Sequence, residues 1–396
     1  MKREYPHLLF RRHWSVTAKA TYELGQCDAV IQAIANTPLL PEYHSQLLHV
    51  SLSKGAQATT AIEGNTLTEE EVEAVAAGAS LPPSKEYQEI EVRNILEAFN
   101  SLLKDVAADD RIETISPDLL LRFHTMIGKG LGSHFDAVPG EFRRDNRTVG
   151  PYRAPEYEDV PELVQSMCEW LRREFRFGEA EAFADAVIQA IVTHVYIEWI
   201  HPFGDGNGRT GRLVEFYILL RAGNPDIASH ILSNFYNDTR SEYYRQIDLA
   251  YRERDLTAFI DYAVQGFRDG LLRTLKRIQE SQFEMTWRKL IYDRFADKKY
   301  TKKTVYTRQR RLALSLPMDR ALAEDGVLQL DPELGRAYAA LSERTLRRDL
   351  EELVDMGIVI RVEGRYRANT AILRQQVPQR RRGSVRFEGS VRSASM

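Results

Sequence analysis

Apolar residues recur at helical spacing over residues 43–61, 86–103, 117–127, 160–173, 179–199 and 209–221. A further helical run covers 255–276, after which basic residues become frequent. Pro82-Pro83 and the Asp109-Asp110 region punctuate this pattern as loops. Extended signals are scarce before residue 350. The clearest spans 141–152, where Asp145-Asn146 sits between two short extended pieces and predicts a small hairpin. From Ser342 the pattern changes. Ser342 is placed to cap a helix running to Met356, with Leu346, Leu350, Leu353 and Val354 on its apolar face. Gly357 ends that helix, and 358–361 and 365–368 read as two short strands around Glu363-Gly364. The expected fold class is mainly α, with one small hairpin and an α+β module near the carboxy terminus.

The chain has 396 residues, 43% hydrophobic and 28% charged, which excludes wholesale disorder and suggests two or three domains. Its net charge of −3 hides an asymmetry. Residues 270–396 hold 27 Lys+Arg against 16 Asp+Glu, whereas residues 1–269 hold 27 against 41. Such a split points to two modules with different partners, the basic one open to nucleic acid. Two cysteines, Cys27 and Cys168, are too few for a disulfide scaffold or a zinc site. The apolar run 184–200 is broken by Asp185, Gln189, His194 and Glu198, so it reads as a buried helix and not a membrane span. The charged start Met1-Lys2-Arg3-Glu4-Tyr5 does not form a signal peptide. A soluble, cytoplasmic protein with no membrane partner is expected.

The chemistry concentrates in His201-Pro-Phe-Gly-Asp-Gly-Asn-Gly-Arg-Thr-Gly-Arg212. Pro202 and three glycines forbid a regular helix, and helical spacing resumes at Arg209. A glycine-rich loop therefore ends at a helix amino terminus, where free N–H groups and the helix dipole attract phosphate. Arg209 and Arg212 could clamp successive phosphates, and Asp205 is a hard oxygen ligand suited to magnesium. His201 is the one side chain of the loop able to take a proton near neutral pH. The lysine-containing P-loop pattern is absent.

This stretch resembles the Fic-domain motif H-x-F-x-[D/E]-G-N-G-R-x-x-R at every specified position. The resemblance covers roughly residues 10–270 and implies a helical bundle with a β-hairpin flap that transfers AMP from ATP to a protein hydroxyl. It implies His201 as general base, Phe203 as a core anchor of the loop and Asp205 as the magnesium ligand. Gly206, Asn207 and Gly208 would form the anion nest, Arg209 would meet the β-phosphate and Arg212 the γ-phosphate. Thr210 and Gly211 belong to the same ATP-binding stretch. Upstream, Thr59-Thr60-Ala61-Ile62-Glu63-Gly64 resembles the family's inhibitory helix motif. It implies that Glu63 meets Arg212 and represses transfer about 10- to 100-fold, the worth of one charge-assisted hydrogen bond. The 141–152 hairpin resembles the flap, with Val149, Gly150, Pro151 and Tyr152 on the nucleotide side. Tyr243 and Tyr251 resemble positions around the adenosine, as a hydrogen-bond donor and a packing surface, with buried core tyrosines as the competing reading. His124 and His194 read as satisfied core histidines, and Glu198, three before His201, as a solvated helix end, with orientation of His201 as the competing reading.

Residues 342–368 resemble a winged-helix domain, with Arg344, Arg347 and Arg348 on the polar side of its helix and Arg361, Arg365 and Arg367 on its wing. That module would meet DNA or a protein partner, or build a homodimer. The expected organisation is an amino-terminal helical region (1–110), a Fic core (111–270), a linker helix with winged helix (271–374) and a disordered basic tail (375–396). The expected activity is protein adenylyltransfer to a Tyr, Ser or Thr hydroxyl, the protein's own included, with ATP and Mg2+. Two alternatives stand beside it: removal of AMP at the same site, and a nucleotide-sensing DNA-binding regulator. A phosphate-transferring variant is argued against by Gly208, where such relatives carry Lys.

Overall fold

A computed structural model describes residues 3–108, 114–175 and 182–375, so the expected tail lies outside the described residues. The chain divides into two compact units, Met1–Ile278 and Gln279–Met396. The helices are α1 (Ala18–Ala35), α2 (Pro41–Ala61), α3 (Glu69–Ala76), α4 (Glu86–Ala107), α5 (Pro117–Gly128), α6 (Val160–Glu174), α7 (Ala182–Ile200) and α8 (Asn207–Arg221). They continue as α9 (Ile231–Asp238), α10 (Arg240–Glu253), α11 (Thr257–Asp297), α12 (Lys303–Ser315), α13 (Glu324–Leu328), α14 (Pro332–Ala339), α15 (Glu343–Asp355) and α16 (Ala371–Arg374).

In the first unit α7 and α8 pack against each other at the centre. Most of α7 is apolar or small, and 14 of its 19 residues and 14 of the 15 in α8 are buried, as a helix without a polar face requires. Helix α7 is the one helix among the described residues long and apolar enough to cross a membrane, and 78% of that stretch is buried inside the protein. Helices α2, α4 and α5 cover this pair, each started by a proline in its first turn or a 3-10 turn. Helix α3 opens with a capping box in which Thr68 and Glu71 satisfy each other's backbone N–H groups.

The hairpin forms, but one turn later than its sequence suggests. Strands β1 (Thr148–Val149) and β2 (Tyr152–Arg153) pair antiparallel, Val149 opposite Tyr152. The reversal is at Gly150-Pro151, where Gly150 takes a φ of 57° that a two-residue hairpin loop demands. Asp145-Asn146 is pinned elsewhere: the Asp145 carbonyl accepts from Arg143, and Asn146 accepts from the Tyr157 backbone N–H.

The second unit has its own core, built from Trp287, Ile291, Leu312, Leu346, Leu350, Leu353 and Tyr366 among others. Helix α15 starts after Ser342, which occupies the cap position without a side-chain bond to the backbone and meets the Thr345 hydroxyl instead. Strands β3 (Val359–Val362) and β4 (Arg365–Ala368) form the wing around Glu363 and Gly364, both with positive φ. Arg347 is tied to Glu324 by two hydrogen bonds.

Candidate active site

Helix α7 ends at His201, whose backbone N–H still bonds Ile197 O (2.9 Å) while its own φ is 48°. A histidine held left-handed costs strain, and here it is fixed from both sides. Arg143, 5% exposed, donates from Nε to His201 O (2.7 Å), from Nη1 to Asp145 O (2.6 Å) and from Nη2 to Pro155 O (2.5 Å). Its backbone N–H bonds Pro202 O (2.9 Å). One buried guanidinium therefore locks the start of the loop to the base of the flap. The His201 Nδ1 is buried without a hydrogen-bond partner. Burial, helped by the Arg143 charge, pushes its pKa down to about 4, so the ring is neutral at pH 7 and ready to accept a proton.

Phe203 anchors the loop: it is fully buried and stacked on His124, with ring centroids 3.8 Å apart. The Asn207 side chain closes the turn by accepting from Phe203 N (2.8 Å) and donating to Phe203 O (2.9 Å). His124 is satisfied, as a core histidine should be. Gly140 N–H donates to its Nδ1 (3.0 Å), so its Nε2 carries the proton and donates to Asp205 O (3.0 Å). Gly206, at φ 78°, leads into α8, whose first-turn N–H groups have no intrahelical acceptor. Thr210 and Gly211 do not line this opening. Thr210 is fully buried with its N–H on Gly206 O, and a Cβ at Gly211 would lie 2.8 Å from His194 Nδ1. Both are packing positions on the core face of α8.

Both arginines are engaged. Arg209, 4% exposed, donates to Asp205 Oδ1 (2.6 Å) and to Glu91 on α4, and lies over the Phe135 ring. Arg212, 1% exposed, donates from Nε to Thr59 Oγ1 (2.7 Å) and from Nη2 to Thr59 O (2.9 Å) and Glu63 Oε1 (2.5 Å). Thr59 and Glu63 are the two ends of the motif read in the sequence, one helical turn apart at the end of α2. Burial raises the Glu63 pKa, but the Arg212 charge and hydrogen bond outweigh it and hold the carboxyl below its usual range. Arg212 Nη1 and Arg209 Nε remain buried and unpaired.

Glu198 is no solvated helix end. Its Oε1 lies 3.0 Å from where a Gly208 Cβ would stand, a point also 2.3 Å from Glu63 Oε1. Burial and the Glu63 charge push its pKa up to about 7. Any side chain at Gly208 would collide with this acidic pair. Glu91 and Arg143 escape the sequence reading, and Glu198 reads there as solvated, because each is assigned by tertiary contact, not by spacing.

Beside the loop a cavity of about 520 Å³ is lined by Val149, Gly150, Pro151 and Tyr152 of the flap, with Trp199, Ile247 and Tyr251. Tyr251 thus faces the cavity as expected of a packing surface. Tyr243 does not: it is 1% exposed and its hydroxyl is joined to His194 Nε2 (2.8 Å), so the core reading holds for it. Its neighbour Tyr244 borders the cavity instead. Among the described residues no group of three metal-ligating side chains occurs, and the carboxylate that shares Arg209 with Asp205 is Glu91.

Residues 114–219 match the Fic/DOC family, and residues 336–371 match the DeoR-like helix-turn-helix domain. Protein adenylyltransferase fic-1 of Caenorhabditis briggsae is 30% identical over 226 residues, 56% of this chain and 41% of that protein. The Caenorhabditis elegans protein of the same name is 27% identical over 223 residues, with the same coverage. The chain thus spans about two fifths of the length of these curated relatives. A Fic family protein of Desulfovibrio desulfuricans G20 shares the fold at a TM-score of 0.55 and 21% identity, over 90% of this chain and 98% of its own. Caenorhabditis elegans Fic-1 (residues 134–508) does so at 0.52 and 24%, over 67% and 74%. Residues 114–219 are thus similar to the Fic/DOC family, and residues 336–371 to the DeoR-like helix-turn-helix domain.

Proposed function

We propose that this protein is an adenylyltransferase that moves AMP from ATP to a Tyr, Ser or Thr hydroxyl of a protein, itself included, and that Glu63 holds it in check. The observation that carries the reading is the neutral His201, fixed beside a phosphate-binding helix start and an apolar cavity. The adenosine would occupy the cavity between the flap and Tyr251, and the triphosphate would run along the first turn of α8. His201 takes the proton of the acceptor hydroxyl as that oxygen attacks the α-phosphorus. The bond from the α-phosphorus to its bridging oxygen breaks, pyrophosphate leaves, and the proton passes from His201 to solvent. No covalent enzyme intermediate is needed, so catalysis rests on positioning and charge.

Asp205 fits a magnesium ion of the kind held by one or two carboxylates and substrate phosphates, since it stands at the helix start with Glu91 on the far side of Arg209. Such an ion supplies charge neutralisation on the phosphates. To serve it, Asp205 must loosen its bond to Arg209, and Glu91 is placed to keep that guanidinium paired. The flap offers the exposed edge of Val149 for backbone pairing with a target segment.

The geometry supports the inhibition. Arg212 cannot bind a γ-phosphate while Thr59 and Glu63 hold it. The test is the intact mass of Glu63→Gly after incubation with ATP and magnesium, beside wild type and Glu63→Gly/His201→Ala. A gain of one AMP unit in Glu63→Gly alone supports transfer, base and brake together. No gain with any acceptor protein, while ATP still binds, would favour a nucleotide sensor serving the helix-turn-helix domain.

A further inference from the structure

A second cavity, of about 220 Å³, lies in the first unit between α2, α9 and α11. Its walls are set by close helix approaches. A Cβ at Gly55 of α2 would meet His230 at 2.9 Å, and one at Gly270 of α11 would meet Ile231 at 2.2 Å. His230 lines the cavity, is 4% exposed, and keeps a buried Nδ1 with no hydrogen-bond partner. Gly55 packs on its Cβ, Cγ and Cδ2, which leaves Nδ1 on the far edge of the ring. A buried polar atom without a partner is destabilising unless a ligand or water supplies one.

Three cations share the same cavity. Arg273 and Arg277 stand one turn apart on α11, and Lys54 faces them from α2. Lys54 is paired with Glu69 (3.1 Å), but neither guanidinium has a carboxylate partner among the described residues. Arg268, two turns earlier on the same helix, is closed off by Glu23 and Asp269. Two guanidiniums without a carboxylate partner, one turn apart on the wall of a cavity that His230 also lines, suit a phosphate group. Asp238 and Asn234, on the α9 wall, suit a hydroxyl beside that phosphate.

The cavity adjoins the brake. Ala58 of α2 borders it, and the next residue, Thr59, holds Arg212. We propose that this cavity is an effector site for a small phosphomonoester carrying a hydroxyl group, and that its binding fastens α2 in the position that closes Arg212. The regulatory half of this inference rests on the function proposed above. A ligand bridging α2 to α9 and α11 favours the clamped state, and ATP with its γ-phosphate on Arg212 favours the opened one. Linkage then makes each weaken the other by the same factor.

Glycerol 3-phosphate is the probe, titrated calorimetrically into the full chain and into Arg273→Gln/Arg277→Gln. Both arginines are exposed, so the variant keeps its fold, which its melting temperature verifies. Wild type is expected to bind one equivalent, and the double variant to bind about ten-fold more weakly or worse. Saturating probe should weaken binding of a non-hydrolysable ATP analogue about five-fold or more in wild type and leave the double variant unchanged. Equal binding by both proteins would assign the probe to the catalytic loop and overturn the site. Binding that left analogue affinity untouched would overturn the coupling. Both readouts are equilibrium measurements, so they judge this site even where no AMP is transferred, and a chain that binds no ATP analogue would instead defeat the proposed function.

Discussion

Each unit buries a cluster of charge, and the two clusters are built differently. In the carboxy-terminal unit Asp349, with no exposure, accepts from Gln309 Nε2 (2.7 Å) at one oxygen and from Arg308 Nε (2.7 Å) and Tyr338 OH (2.9 Å) at the other. Its carboxylate is closed by three donors. In the amino-terminal unit, the cluster around His201, Arg209 and Arg212 leaves His201 Nδ1, Arg209 Nε and Arg212 Nη1 buried and unpaired. The charged groups of a structural cluster complete their hydrogen bonds, because open ones are costly, and the orphan beside Asp349 is a neutral amide oxygen, Gln309 Oε1. One that leaves donors open is shaped for something that comes and goes.

The comparison predicts opposite responses to truncation. His201→Ala should lower transfer measured in the Glu63→Gly background about 100- to 10,000-fold, the range of a general base. It should leave ATP affinity and melting temperature near those of the parent, because the side chain's buried nitrogen satisfies nothing. A large loss of stability would show that His201 is structural after all. Asp349→Ala should do the reverse. Removing one partner of a buried pair leaves Arg308 uncompensated and costs about 3–5 kcal/mol in that unit. Calorimetry should show one transition lowered while ATP binding by the first unit persists. Intact melting of both units would mean that the cluster carries little of the fold.

Glu63→Gly comes next in size. It removes one charge-assisted hydrogen bond to Arg212 and should raise the rate of transfer about 10- to 100-fold. Glu63→Gln, which keeps the shape but not the charge, should fall between the two. A rate equal to wild type in both would leave the contact without a regulatory role. Thr59→Val sharpens the point, since it deletes only the Thr59 Oγ1 bond and leaves Glu63 in place.

Much of the site was legible because its motif is continuous. Proline and glycine mark the loop, and each residue from His201 to Arg212 sits within one turn of the next. Glu63 was legible from a local pattern too, a glutamate just before a Gly-Asn helix stop. Glu91 was not: it reaches Arg209 across 118 positions, and no spacing announces such a pair. Arg143 reads in the sequence as one of several hairpin cations, and only packing turns it into the clamp on His201. Tyr243 went the other way, since its burial depends on His194 from a distant helix. The hairpin is legible, but Asp145-Asn146 is the stronger turn signal in the sequence and the reversal lies at Gly150-Pro151. The wing turn at Glu363-Gly364 was read correctly because there the glycine sits at the reversal itself.

The smallest predicted effect, a pH dependence, tests the same contrast without a substitution. All nine histidines lie between residues 7 and 230, so only the first unit carries them. Burial pushes His7, His124, His201 and His230 down to about 4 and His194 down to about 3. Between about pH 4 and the ordinary histidine value near 6.5, the unfolded chain therefore binds protons that the folded unit refuses. Stability must fall as the pH drops through that window and be complete above it. Three buried carboxyls, Glu91 among them, act in the opposite sense. Glu198 is raised to about 7 and Glu215 to about 8, chiefly by burial, so the folded state holds their protons and stability falls as pH rises through those values. Burial lowers His13 as well, so six histidines outweigh three glutamates on the acid side, and the glutamates act against stability as the pH rises. The melting temperature of the amino-terminal unit should peak near pH 6.5 and fall more steeply below it than above. The carboxy-terminal transition, identified by its loss of stability in Asp349→Ala, has no histidine to titrate and should stay level across the same range. Parallel curves for the two units would show that the buried histidines are not what distinguishes them.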